Sequence, residues 1–153
     1  MNSQINLSLK PHNSFSFESV TPCFYAPESL ADLQQLSELH LANYYVLGEG
    51  SNTLFLNDKA PIIIQPKFMG IKVEENDNNY VLEVGSGENW HKLVTYCVEN
   101  GYRGLENLAL IPGSVGAAPI QNIGAYGAEL SSVVDTVYWY EFSTQQLHTF
   151  SQA

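Results

Sequence analysis

Apolar residues recur with helical spacing in two stretches. Leu30, Leu33 and Leu36 share one face of residues 29–41, with Pro27 just ahead, and predict a helix there. Trp90, Leu93, Val94, Cys97 and Val98 stand at i, i+3, i+4, i+7 and i+8. They predict a second helix over residues 89–100, with Asn89 as N-cap and Gly101 just past the end. Short apolar or alternating runs predict strands at 23–26, 44–47, 53–56, 61–65, 71–75, 80–84, 133–143 and 147–150. The run 44–47 is apolar throughout and is expected to be buried. A turn at Asn57–Asp58 separates two of these strands, and the Asn/Asp-rich run 76–79 predicts a hairpin. The polar residues 1–20 read as an irregular lead-in.

Strand 23–26, helix 29–41 and strand 44–47 form a strand–helix–strand unit of the kind that gives parallel pairing. The later strands read as hairpins. The expected fold class is therefore α+β, with a small parallel β-α-β unit plus a larger mainly antiparallel sheet with helices. Neither repeats nor a linker divide the chain, which reads as a lead-in over residues 1–16 and one domain over 17–153. Residues 104–130 are loop-like and rich in Gly, Ala and Pro, yet carry few charges. An ordinary solvent loop is polar, so this segment is expected to pack against something.

Composition narrows the function. The net charge is −10, with six Lys plus Arg. A nucleic-acid backbone or a polybasic membrane contact needs clustered cations, so neither partner is expected. A nucleotide ligand stays open, because backbone N–H groups at glycine loops hold phosphates without many cations. No apolar run is long enough to span a bilayer, and the start lacks a signal-peptide pattern, which points to a cytoplasmic location. Cys23 and Cys97 are expected to be reduced, buried thiols. The four His show no metal-ligand spacing, so no metal is assigned.

Three glycine-bearing segments carry the candidate chemistry. In the first, Gly48, Glu49, Gly50, Ser51 and Asn52 follow a predicted strand. Their local pattern fits an anion nest and a plain tight turn equally well. It is neither a P-loop nor a Rossmann fingerprint. In the second, GSGENW at 85–90, Trp90 stands where a Rossmann loop needs its third Gly, so a glycine turn into a capped helix is expected. His91 beside it reads as a surface or packing residue. The third, IPGSVGAAPIQNIGAYG at 111–127, combines small residues, two prolines and few charges. It is expected to take a flat or extended ligand, with Gln121, Asn122 and the backbone near Gly124 meeting a ring edge and Tyr126 adding a phenol. Glu106 reads as a capping or solvated acid. Ser114 lacks a neighbouring His and is not read as a nucleophile.

LGEGSNTLFL at 47–56, VGSGENWHKLV at 84–94 and GLENLALIPGSVGAAPIQNIGAYG at 104–127 are similar to the N-terminal half of the UDP-N-acetylenolpyruvoylglucosamine reductases. These are flavoproteins with a p-cresol-methylhydroxylase-type FAD-binding domain. The resemblance implies FAD as cofactor, NADPH as reductant and an enolpyruvyl UDP-sugar as substrate, reduced to UDP-N-acetylmuramate for peptidoglycan by a monomer. It implies that Gly48, Glu49, Gly50, Ser51 and Asn52 hold the pyrophosphate. Pro112, Gly113, Ser114 and Gly116 then form a second loop around FAD. Ile120, Gln121, Ile123, Gly124 and Tyr126 form the wall beside its isoalloxazine ring. Ala117 and Ala118 stand where some relatives have serines. No catalytic residue is assigned within the chain. The resemblance places the catalytic Arg, the proton-donating Ser and an assisting Glu beyond Ala153, so the chain is expected to be a cofactor-binding part, inactive by itself.

Overall fold

The computed structural model describes residues 1–76 and 79–151. These form two compact units: Met1–Pro66 together with the segment from Asp135 onward, and Lys67–Val134.

In the first unit, β1 (Asn2–Ser8), β2 (Val20–Ala26), β3 (Tyr44–Val46) and β4 (Ile62–Ile64) make a four-stranded sheet in the order β1-β2-β4-β3. β1 is antiparallel to β2, while β4 runs parallel to both β2 and β3. The expected lead-in is thus corrected: residues 2–8 form a paired strand. Its polar residues gave no strand periodicity, and its place comes from the ladder it completes with β2. The strand–helix–strand unit exists, but β4 is inserted between its two strands. β3 is also a correction, because its three residues are exposed rather than buried. It forms the edge of the sheet, paired among the described strands with β4 alone. Residues 53–56 make no strand: Phe55 turns toward the core, while Leu54 and Leu56 face outward.

Helix α1 (Leu30–Glu38) begins at a capping box in which Ser29 Oγ accepts from the Asp32 N–H and Asp32 accepts from the Ser29 N–H. Leu33 and Leu36 are buried, and Leu30 is exposed. Leu9, Phe24, Leu47 and Ile63 form this unit's core. The antiparallel pair β9 (Thr136–Glu141) and β10 (Gln146–Ser151) belongs to the same unit, where Tyr140 and Ser37 share a hydroxyl hydrogen bond of 3.2 Å.

The second unit holds the hairpin β5 (Ile71–Asn76) and β6 (Asn79–Val84), whose turn residues lie outside the described residues. Helix α2 (Trp90–Glu99) follows, capped by Asn89 accepting from the Lys92 N–H at 3.0 Å. Trp90, Leu93, Val94 and Cys97 are buried, as their spacing requires, and pack with Leu108, Ala118, Ile123 and Leu130, whereas Val98, the last residue of the expected stripe, is exposed. The long 104–130 segment is therefore packed. It contains short 3-10 turns, the one-turn helix α3 (Ala118–Gln121) and a two-residue hairpin of β7 (Gly124–Ala125) with β8 (Ala128–Glu129).

The class is α+β. The expected larger antiparallel sheet is not formed among the described residues; those strands make separate two-stranded pairs. Cys97 is buried but Cys23 is only half-buried, and both are free thiols. No helix is long and apolar enough to cross a membrane, and no group of three or more His, Cys, Asp or Glu among the described residues could hold a metal.

Candidate cofactor site

The GEGSN loop belongs to the first unit and is held by its carbonyls. Gln65, itself buried, donates through Nε2 to the Gly48 carbonyl. Ser14 donates through its N–H to the Gly50 carbonyl at 3.1 Å and through Oγ to the Ser51 carbonyl at 3.0 Å. A trans peptide holds its N–H opposite its C=O, and none of the peptides among the described residues is cis. Those three carbonyls belong to the peptides whose N–H groups are carried by Glu49, Ser51 and Asn52.

Gly50 cannot be replaced without disturbance, because its φ is +70° and a Cβ there would overlap the His12 carbonyl. The segment 12–14 that presses on this loop is positioned by Asn13, which is buried. Its Nδ2 donates to the Leu9 and Phe17 carbonyls at 2.7 and 3.1 Å, and its Oδ1 accepts from the Phe17 N–H at 3.1 Å. Sequence reasoning missed this buttress. The HNS triplet at 12–14 is a plausible signal on its own, since Asn and Ser make such local backbone bonds. Nothing local says which distant loop they serve.

The remaining candidate residues lie in the second unit. GSGENW is a glycine turn into a capped helix, as its sequence indicates, and it also acts as a template for the third segment. The Trp90 N–H donates to the Gly113 carbonyl at 2.9 Å, the Val115 N–H to the Glu88 carbonyl at 2.8 Å, and the Gly116 N–H to the Ser86 carbonyl at 2.9 Å. A Cβ on Gly116 would fall 2.6 Å from Ser86 Cβ. The absent side chain at 116 thus makes room for Ser86 and not for a ligand. Trp90 Nε1 donates to the buried Leu108 carbonyl at 2.8 Å.

Pro112, Gly113, Ser114, Gln121 and Ile123 line one small concavity together with Trp90, Ile111, Ala117 and Ala118. Ile123 is committed to the frame: its side chain is in the core, its N–H bonds Ala118 and its carbonyl accepts from Leu130. Ile120 and Tyr126 are not drawn in. Ile120 is 87% exposed on α3, and Tyr126 is 90% exposed at the tip of the β7–β8 hairpin with φ +52°. Gly124 pairs with Glu129 in that hairpin. Glu106 is an exposed acid at the first residue of a 3-10 turn. Its Oε2 accepts from the Gly104 N–H at 2.8 Å, and backbone N–H donation from its own residue and Gly104, with Arg103 nearby, holds its carboxyl below the usual range. Burial pushes the Cys97 thiol up, and Glu106 adds to the shift.

The FAD binding domain family matches residues 21–146. The chain is 44% identical over 99% of its length to UDP-N-acetylenolpyruvoylglucosamine reductase of Amoebophilus asiaticus, of which it covers 46%. It is 48% identical over 86% of its length to the protein of that name from Pectobacterium atrosepticum, covering 39% of it. The chain thus spans less than half the length of these two curated relatives. The crystal structure of UDP-N-acetylenolpyruvylglucosamine reductase from Thermus caldophilus superposes with a TM-score of 0.76 at 24% identity, over 98% of this chain and 52% of that one, and shows the shared fold. With the match extending from β2 into β10 and both glycine-rich loops inside it, the chain belongs to the FAD binding domain family.

Proposed function

We propose that the chain is the cofactor-holding part of a UDP-N-acetylenolpyruvoylglucosamine reductase, acting with NADPH on an enolpyruvyl UDP-sugar in peptidoglycan precursor synthesis. The observation that supports this most is the likeness to reductases of that name over 86–99% of the chain. When bound, FAD supplies the hydride chemistry between NADPH and the enolpyruvyl group. The chain's own residues bind and orient it. Glu49, Ser51 and Asn52 present backbone N–H groups to the pyrophosphate from a loop whose glycines, Gly48 and Gly50, allow the close approach. Pro112, Gly113, Ser114 and Gly116 shape the second loop. Ile120, Gln121, Ile123, Gly124 and Tyr126 form the wall beside the ring, with Ile123 as its packed footing and Gln121 as its polar rim. A chain of net charge −10 holds such a ligand by backbone dipoles rather than by cations. We assign it to the cytoplasm as a monomer, with β1 and residues 9–16 joining residues 17–153 in the cofactor-holding part and no catalytic residue among them.

Purification tests this directly. The protein is expected to be yellow, with flavin absorption bands, and to release FAD on denaturation. A folded, colourless protein that takes up no added FAD would overturn the assignment. Turnover of the enolpyruvyl UDP-sugar with NADPH by this chain alone would show that the catalytic groups lie within it, contrary to the proposal.

A further inference from the structure

His91 is the second residue of α2, and its Nδ1 accepts a hydrogen bond from the Leu110 N–H at 3.2 Å. Leu110 has φ +64°, in the left-handed region that residues bearing a Cβ rarely occupy. Its side chain is 77% exposed, so no burial of that side chain offsets the backbone strain. The chain on either side is pinned by one residue, Trp90, which holds the Leu108 carbonyl at 2.8 Å and the Gly113 carbonyl at 2.9 Å. Leu110 lies between these two pins, and the ring beside Trp90 takes its N–H. To accept there, the imidazole must be neutral with its proton on Nε2.

We infer that His91 is a positioning residue for the cofactor loop. Its Nδ1 fixes the left-handed turn at Leu110 and so sets the path of residues 111–116 toward the ligand. The inference rests on the proposal that residues 112–116 border FAD. Position 91 is anchored independently of its ring. Thr95 Oγ1 donates to the His91 carbonyl at 3.0 Å, and Asn89 caps the helix through the Lys92 N–H at 3.0 Å. Changing the ring therefore removes the acceptor while leaving the cap in place. Asn carries its Oδ1 at the same bond distance from Cβ as the imidazole Nδ1; Ala has no acceptor, and Gln places its oxygen one bond further out.

The test is FAD titration followed by flavin fluorescence, together with amide hydrogen exchange at Leu110 in the cofactor-free protein. His91→Ala and His91→Gln are expected to weaken FAD binding about tenfold and to speed Leu110 exchange about tenfold. His91→Asn is expected to restore both to within about threefold of wild type. Wild-type FAD affinity in the Ala and Gln variants, or an Asn variant as impaired as Ala, would overturn the role. If the wild-type protein takes up no FAD, the cofactor proposal fails by itself. Leu110 exchange then decides the turn separately, and unchanged exchange in His91→Ala overturns it.

Discussion

Gly50 lies against the His12 carbonyl so closely that any side chain at position 50 would overlap its oxygen. The contact joins two segments 38 residues apart in sequence, and it makes the glycine a packing requirement as well as a conformational one. Gly50→Ala places a Cβ in the left-handed region and against backbone that cannot rotate away. A destabilisation on the order of 2–4 kcal/mol is expected from the two effects together. Urea unfolding should show a lower midpoint, and FAD uptake should be lost with it.

Ser14 makes a milder test of the same loop. Ser14→Ala keeps the backbone bond to Gly50 and removes only the hydroxyl bond to the Ser51 carbonyl. The stability cost should be about 1 kcal/mol, as for one partly exposed hydrogen bond. FAD affinity should fall more than stability does, because the freed peptide carries one of the N–H groups proposed to meet the phosphate. Equal affinity in wild type and variant would show that this peptide does not meet the ligand.

Trp90 holds the Leu108 carbonyl through its indole, while its backbone N–H holds Gly113. Trp90→Phe keeps an aromatic ring in the core and removes the donor to the Leu108 carbonyl, in a residue that is fully buried. Leaving that acceptor unsatisfied should cost about 1–3 kcal/mol. Chemical denaturation should report the loss. Wild-type stability in the variant would mean that the bond is replaced by another partner.

Glu106 gives a pH dependence with a definite sign. Backbone N–H donors hold its folded-state pKa below the ordinary value of about 4.3. Its contribution is complete above that ordinary value and is lost as pH falls through the lowered one. Wild type should be more stable than Glu106→Gln at pH 7, and the difference should vanish in acid. Urea midpoints at neutral and acidic pH measure it; a difference that persists or grows in acid would contradict the assignment.

Both principal helices were legible because their signals are local. The spacing of Leu33 and Leu36, and of Trp90, Leu93, Val94 and Cys97, marks the buried face. Asn89 shows where α2 begins. The hairpin of β5 and β6 and the pair β9–β10 were legible for a similar reason, since sequence neighbours pair across short turns. The three candidate loops stood out through glycine, proline and the scarcity of charge.

What only the tertiary structure decided is which distant segments meet. A polar strand such as β1 carries no mark of its own and is specified by its ladder with β2. The apolar run of β3 ends at an exposed edge because β4 pairs on one side of it. The loops show the same division. Their sequences indicate tight turns suited to phosphate or a flat ring. Ser14 for the first loop, and Ser86, Glu88, Trp90 and His91 for the second, were assigned by contacts that close over long stretches of chain. Such contacts follow from the packing of whole elements, and no period or cap within a short window can record them.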